Sequence, residues 1–488
     1  MSGKVIDSWP VVFVSDATKT ANVSRYLAEG KLRKLGSRLY TKDLKTPTEE
    51  LIRKHLWEIV AGYYPDALIS DRTALENSRA EDGSIFFISE RTGKVDLPGI
   101  HLRPRKGVHA LPGDLSYIGG TRISSQARAY LENMRPSRAR KGQVPRTLTQ
   151  EELEQRLERL LRTGGEPPLQ RLRDDMQRIA KSLQLESEAE ELNNIIGALL
   201  GTRTAKLRSD VAIARAKGQG FDPECLGRCQ LLYAALRNRS FPERPAPLRE
   251  TEAQATLCFF DAYFSNYIEG TRFEVSEAEE IVFQGKIPEQ RPADGRDILA
   301  TYRVVSQPVL PSSPGTPNDI MSRMRTQHSV ILEGRKEQHP GEFKQQPNMA
   351  GDTRFVEPEL VAETLRRGFE LQPGLKEPLA RAMYTMFLIT EVHPFTDGNG
   401  RVARAMMNSE LIAAGQERIL IPTAFRDNYL QALRALSRNE EPEPFMAMLE
   451  FAQRWTAAVP WTNLHNTRIA LKACHAFDDT PDARLRMP

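Results

Sequence analysis

Apolar positions recur along the chain at two different spacings. Up to about residue 125 they come in short runs, VVFVS at 11–15 and SIFFIS at 84–89, set apart by turn residues, which predicts β-strands. Thr20 to Glu29 suits a short helix capped at Gly30. Further on, the spacing changes to three and four. Leu153, Leu157, Leu160 and Leu161 share one helical face, as do Leu169, Leu172, Met176, Ile179 and Leu183, and again Leu192, Ile195, Ile196, Leu199 and Leu200. Such stripes are packing faces. From 220 the pattern stays helical, with helices predicted near 252–268, 276–283, 294–305, 317–333, 358–371, 376–392, 401–414, 427–437 and 443–457. The Pro-containing loop SQPVLPSSPGTPN at 306–318 breaks it, and GEFKQQPNMAG at 341–351, with Gly at both ends and Pro inside, reads as a surface hairpin or flap. RPSRARKGQVPR at 135–146 is basic, holds two prolines and no acid, and is expected to be an exposed linker.

Length and charge narrow the classes. A chain of 488 residues allows several domains, and we divide it at 1–60, 61–130, 131–245, 246–460 and 461–488. The formal net charge of +4 is no polycation, so nucleic-acid binding would require a local basic patch. No apolar run approaches the ~18–20 residues of a spanning helix, which argues against membrane insertion. MSGKVIDSWPVV lacks the pattern of a secretory signal, and four cysteines form no disulfide framework; a cytoplasmic, reducing setting is expected. Cys225 and Cys229 fall on one helical face, but no second pair completes a zinc site.

The strongest chemical signal is HPFTDGNGRVAR, His393 to Arg404. An apolar helix containing Ala380, Met383, Tyr384, Phe387 and Leu388 runs up to His393, where Pro394 stops it. Asp397, Gly398, Asn399 and Gly400 then form a turn before a new helix starts at Arg401. Converging backbone N–H groups at a helix N-terminus make an anion nest. Arg401 and Arg404, three apart, could hold two more phosphate groups. Asp397 suits Mg²⁺, which needs few protein ligands when phosphate supplies the rest, and His393 is placed to take a proton from a hydroxyl. The closing Glu of a calcium loop is missing. These are the parts of phosphoryl or nucleotidyl transfer.

The segment resembles the signature of the Fic (Fido) family, H-x-F-x-[D/E]-G-N-G-R-x-x-R, at every specified position. The resemblance implies a mostly helical domain that moves AMP from ATP to a Ser, Thr or Tyr hydroxyl of a target protein. It implies His393 as general base, Phe395 as loop anchor and Asp397 as Mg²⁺ ligand. Gly398, Asn399 and Gly400 would cradle the α-phosphate, and Arg401 and Arg404 would hold the β- and γ-phosphates. GEFKQQPNMAG resembles the family's target-pinning flap, with Lys344 in place of the usual Arg. Asn428 and Tyr429 match positions facing the adenosine pocket. SNYIEG, Ser265 to Gly270, resembles the inhibitory motif [S/T]-x-x-x-E-[G/N], which implies that Glu269 pairs with Arg404 and displaces the γ-phosphate; the plainer reading is a helix cap at Gly270.

Residues 15–45 carry Lys19, Arg25, Lys31, Arg33, Lys34, Arg38, Lys42 and Lys45, well in excess of their acids. A short helix, then KLRKL, a Gly36-Ser37 turn and RLYT, resembles the recognition helix and wing of a winged helix-turn-helix, which implies a duplex-DNA partner. The stretch to about 120 is similar to AbiEi-type antitoxins and regulators. The fold class expected is therefore multidomain α+β: a mostly α-helical Fic domain at the C-terminus and a smaller α/β, winged-helix-like N-terminal region. The function expected is autoinhibited protein adenylyl transfer. The alternative is a DNA-binding regulator whose Fic block serves self-modification or nucleotide sensing. The sequence leaves the oligomeric state open, a homo-oligomer included.

Overall fold

A computed structural model describes residues 4–139, 141–307, 315–480 and 482–488. The centre of the Pro-containing loop (308–314), one arginine of the basic tract (140) and the first three residues lie outside the described residues. The chain forms two compact units, Met1–Gly218 and Gln219–Pro488.

In the first unit the apolar runs become strands, as their alternation requires. Val12–Val14, Leu39–Thr41 and Arg33–Gly36 make a three-stranded antiparallel sheet in that order. A six-stranded mixed sheet follows, with Ser84–Ile88 buried along its length and parallel to Ile100–Arg105. Val12, Val14, Leu39 and Ile52 share one core with Ile69, Phe87 and Leu102, so no boundary separates 1–60 from 61–130. Helices Gln150–Gly164, Glu166–Leu183 and Glu186–Leu199 bury the predicted stripes against one another. The basic tract before them is pinned rather than loose: Ser137 and Thr147 exchange hydrogen bonds at 3.0 Å, and the Val144 amide donates to Asp82.

Thr20–Ala28 forms a helix and a hairpin follows it, with the turn through Ser37 and Arg38. A strand and the short helix Lys4–Asp7 stand in front, where that fold has two helices. The basic residues are largely spent on their own neighbourhood. Arg33 donates to the Thr46 carbonyl, Arg38 to that of Ser15, and Lys42 to those of Ile6, Asp7 and Trp9. Lys19 pairs with Asp16, and Lys31 with Glu29 at 2.7 Å. Lys34 and Lys45 remain exposed without a side-chain partner among the described residues.

The second unit is helical, and its helices lie close to the predicted ranges. At its centre the helix Pro378–Val392 is buried on nearly every side, which its continuous apolar sequence dictates. It packs with Asn399–Ala413 around Met383, Phe387, Val402 and Met406. The unit begins earlier than the predicted 246, because Pro223–Arg237 buries Cys225, Cys229, Leu232 and Leu236 in this core. The predicted tail is part of it too: Leu471, on the helix Leu464–Ala473, packs with Phe260 and Trp455. All four cysteines are free and buried. Among the described residues no helix is long and apolar enough to cross a membrane, and no three His, Cys, Asp or Glu side chains are grouped to hold a metal.

Candidate active site

His393 ends the helix Pro378–Val392 in the left-handed conformation, φ 52°, which histidine adopts more readily than most residues. Its ring lies flat on Phe355, centroids 3.8 Å apart and planes within 7°. Nδ1 is 3.2 Å from the Thr390 carbonyl, an acceptor, so the proton belongs on Nδ1 and Nε2 is left bare. Burial pushes the imidazole down to about 4, the Thr390 carbonyl opposes this, and the Lys344 charge adds to it. At neutral pH this ring is uncharged.

The loop after it is fixed from several sides. Asn399 closes it by accepting from the Phe395 amide and donating to the Phe395 carbonyl, both at 2.8 Å. Phe395 is fully buried and stacks on His328, centroids 3.7 Å apart. His328 Nδ1 accepts from the Gly341 amide at 2.8 Å and Nε2 donates to the Asp397 carbonyl at 3.0 Å. That neutral tautomer is held by burial, which lowers His328 to about 4. Gly398 takes φ 75° as N-cap, and a Cβ there would strike Leu332. With the Asn399 side chain latched to Phe395, the nest offers a ligand its backbone N–H groups.

The two arginines behave differently. Arg401 is buried and held by Asp297 at 2.8 Å, which Arg335 also binds at 2.8 Å; Asp397 is further off at 3.4 Å. Arg404 is buried beside Gly400. Its Nε donates to Ser265 Oγ at 3.0 Å, and its Nη2 donates to the Ser265 carbonyl and to Glu269, both at 2.8 Å. Burial opposes the Arg404 charge, but Glu269 beside it holds the pKa above the ordinary value. Nη1 makes no hydrogen bond and lies where a Cβ on Gly400 would come within 3.0 Å. Glu269 Oε1 fills the space over Gly400. Gly270 follows at φ 93°, so the helix-cap reading and the arginine pairing hold together.

The Fic/DOC family model matches residues 320–411, wholly within the second unit. A Fido domain-containing protein of Dictyostelium discoideum is 30% identical over 106 residues, covering 21% of this chain and 74% of that protein. The chain belongs to the Fic/DOC family. It also resembles a protein named protein adenylyltransferase Fic from Drosophila grimshawi, 27% identical over 220 residues, covering 42% of this chain and 43% of the relative. The chain thus spans less than half the length of that adenylyltransferase. A solved Fic domain containing signaling protein from Bacteroides thetaiotaomicron is 18% identical, with TM-score 0.36, covering 53% of this chain and 99% of that one.

A cavity of about 540 Å³ opens over the Fic motif, lined by Glu269, His393, Gly400, Tyr429, Leu433 and Thr353 among others. Tyr429 is buried beside Arg404, whereas Asn428 is exposed and lines a different hollow with Asp427 and Asp479. Adjacent helical residues point about 100° apart, so one of the pair faces the cavity. The flap is a hairpin, Met349–Ala350 against Thr353–Arg354, turning at Gly351; it extends past the predicted 351. Met349 is 64% exposed and Arg438 donates to Thr353 at 2.8 Å. Asp397 keeps a half-exposed carboxylate, with Oδ1 on the Gly398 amide at 2.6 Å. One such carboxylate fits a Mg²⁺ whose other ligands are phosphate and water. Sequence reasoning missed Phe355, His328 and Asp297, which support the base, the loop and Arg401. They are a histidine, a phenylalanine and an aspartate outside the motif, with nothing local to tie them to it.

Proposed function

We propose that the chain moves AMP from ATP to a hydroxyl side chain of a target protein, itself included, and that Glu269 holds this activity down. The observation that carries the reading is a bare imidazole nitrogen at the mouth of an anion nest whose buried arginine is occupied by Glu269. In the reaction the hydroxyl oxygen attacks the α-phosphorus, the bond to pyrophosphate breaks, and His393 Nε2 takes the hydroxyl proton. The N–H groups of Asn399 and Gly400 hold the α-phosphate at the helix N-terminus, the Gly398 N–H being taken by Asp397. Arg404 receives the terminal phosphates once Glu269 leaves; Arg401, ion-paired with Asp297 but with Nε and Nη1 free of hydrogen bonds, is the second cation for them. Asp397 is the residue to hold Mg²⁺, which when bound neutralises phosphate charge. The exposed edge of the flap hairpin suits an extended target segment added as a strand. Names of the adenylyltransferase relatives agree with this chemistry.

Incubation with ATP labelled on the α-phosphate, in parallel with ATP labelled on the γ-phosphate, tests it. The account expects protein-bound label from the α-position alone. Label from the γ-position would make the chain a kinase, and none from either, in a Glu269→Gly variant, would remove the transferase reading. The alternative, a DNA-binding regulator acting through residues 15–45, has less support, since most of that basic segment binds its own backbone or acids.

A further inference from the structure

Among the described residues Lys344 is the one buried lysine, 3% exposed, and it has no carboxylate partner. An ammonium in that position is costly unless the fold uses it. Its surroundings are specific. The Lys344 amide donates to the Pro394 carbonyl at 2.9 Å, next to His393. Nζ donates to Asn348 Oδ1 at 2.6 Å, and Asn348 Nδ2 passes on to the Phe395 carbonyl at 2.9 Å. The ammonium also lies 5.9 Å from the centroid of Phe355, the ring on which His393 stacks. One side chain thus joins the flap root to the motif loop and stands behind the base.

We propose that Lys344 is a positioning residue for His393, tying the Phe355 platform to the motif loop and standing its ammonium behind the imidazole. The inference rests on His393 being the base of the proposed reaction. Charged groups reach His393 from three elements: Lys344 from the flap root, Glu269 from the end of Thr251–Ile268, and Asp397 from the motif loop. Both carboxylates favour the imidazolium. Burial is the largest cause opposing it and the Lys344 charge adds to that; Glu391, Arg434 and Arg438 also line the cavity around the ring. Lys344 itself faces Glu357, which is paired with Arg354 at 2.6 Å, and the Cys225 thiol. Burial brings the ammonium down to about 8, so it is charged at neutral pH.

The test is a titration of ¹⁵N-imidazole signals in the full-length protein, with His393 assigned by its loss in His393→Ala. It reads the ring, not the transfer, so a failure of AMP transfer would sink the proposed function and leave this result separate. Lys344→Met should raise the His393 protonation constant about tenfold, one pH unit, and Lys344→Arg should leave it near the native value. An unchanged midpoint in Lys344→Met, or an equal rise in Lys344→Arg, overturns the proposal. If the Met variant does not fold, Lys344→Gln, which keeps a donor to Asn348 without the charge, is held to the same outcomes.

Discussion

Two basic segments of this chain look alike on paper and differ in what their charges face. In residues 15–45, Arg33, Arg38 and Lys42 end on backbone carbonyls and Lys19 and Lys31 on neighbouring acids. In the motif, Arg404 is buried with Nη1 free of hydrogen bonds, Nε on the Ser265 hydroxyl, and Nη2 shared between the Ser265 carbonyl and a carboxylate from 135 residues upstream. A cation satisfied by its own backbone stabilises a turn. A cation buried beside a helix N-terminus and paired with a carboxylate is what the proposed function uses to take phosphate. Charge density along the sequence does not distinguish the two, because the partners are set by the fold.

The comparison can be broken most severely at the base. His393→Ala should lower α-phosphate transfer by about 10²–10⁴-fold while nucleotide binding, read by calorimetry, persists. Undiminished transfer would mean the nest works without the proton acceptor assigned to it.

A smaller effect concerns what supports the loop. His328 is fully buried and neutral, with its pKa at about 4 against 6.5 when unfolded. Between those values the unfolded chain binds more protons, so the contribution is complete above 6.5 and is lost as pH falls toward 4. His328 should therefore lower the unfolding free energy in urea melts by at most about 1.4 kcal/mol per pH unit between pH 6.5 and 5, and His393, also lowered to about 4, adds a second share of the same sign. His328→Gln should flatten that slope; an equal slope in the variant would put the acid sensitivity elsewhere.

The smallest effect is expected in the basic segment. If it meets duplex DNA, replacing Lys34 should reduce the salt slope of binding by about one unit. Replacing Arg38 should show instead as a loss of stability, because its partner is the Ser15 carbonyl. Equal salt-slope losses from both would restore the winged-helix expectation.

Much of this was legible in the sequence. Leu169 to Leu183 and Ala380 to Leu388 announce helices because packing repeats every three or four residues, a local rule. Gly398 and Pro394 announce the loop because few residues tolerate its backbone. What stayed hidden is non-local. Asp297 holds Arg401 from 104 residues away, and Phe355 reaches His393 only because the flap folds back over the helix end. Tyr429 and Asn428 were equally readable, and only the rotation of the helix separates them. The unit boundary near 218 was missed because Cys225 and Leu232 look like any other half-apolar helix until the core they fill is assembled.

The central claim is that Glu269 occupies the cation a nucleotide triphosphate needs. Its most direct test is α-phosphate self-labelling by Glu269→Gly beside the wild type, at saturating ATP and Mg²⁺, with Arg404→Ala in both backgrounds. The account predicts a large rise on removing Glu269 and no labelling without Arg404, since misplaced phosphates lose in-line geometry. Wild-type labelling that is unchanged by Glu269→Gly would reduce Glu269 to a helix cap and contradict it.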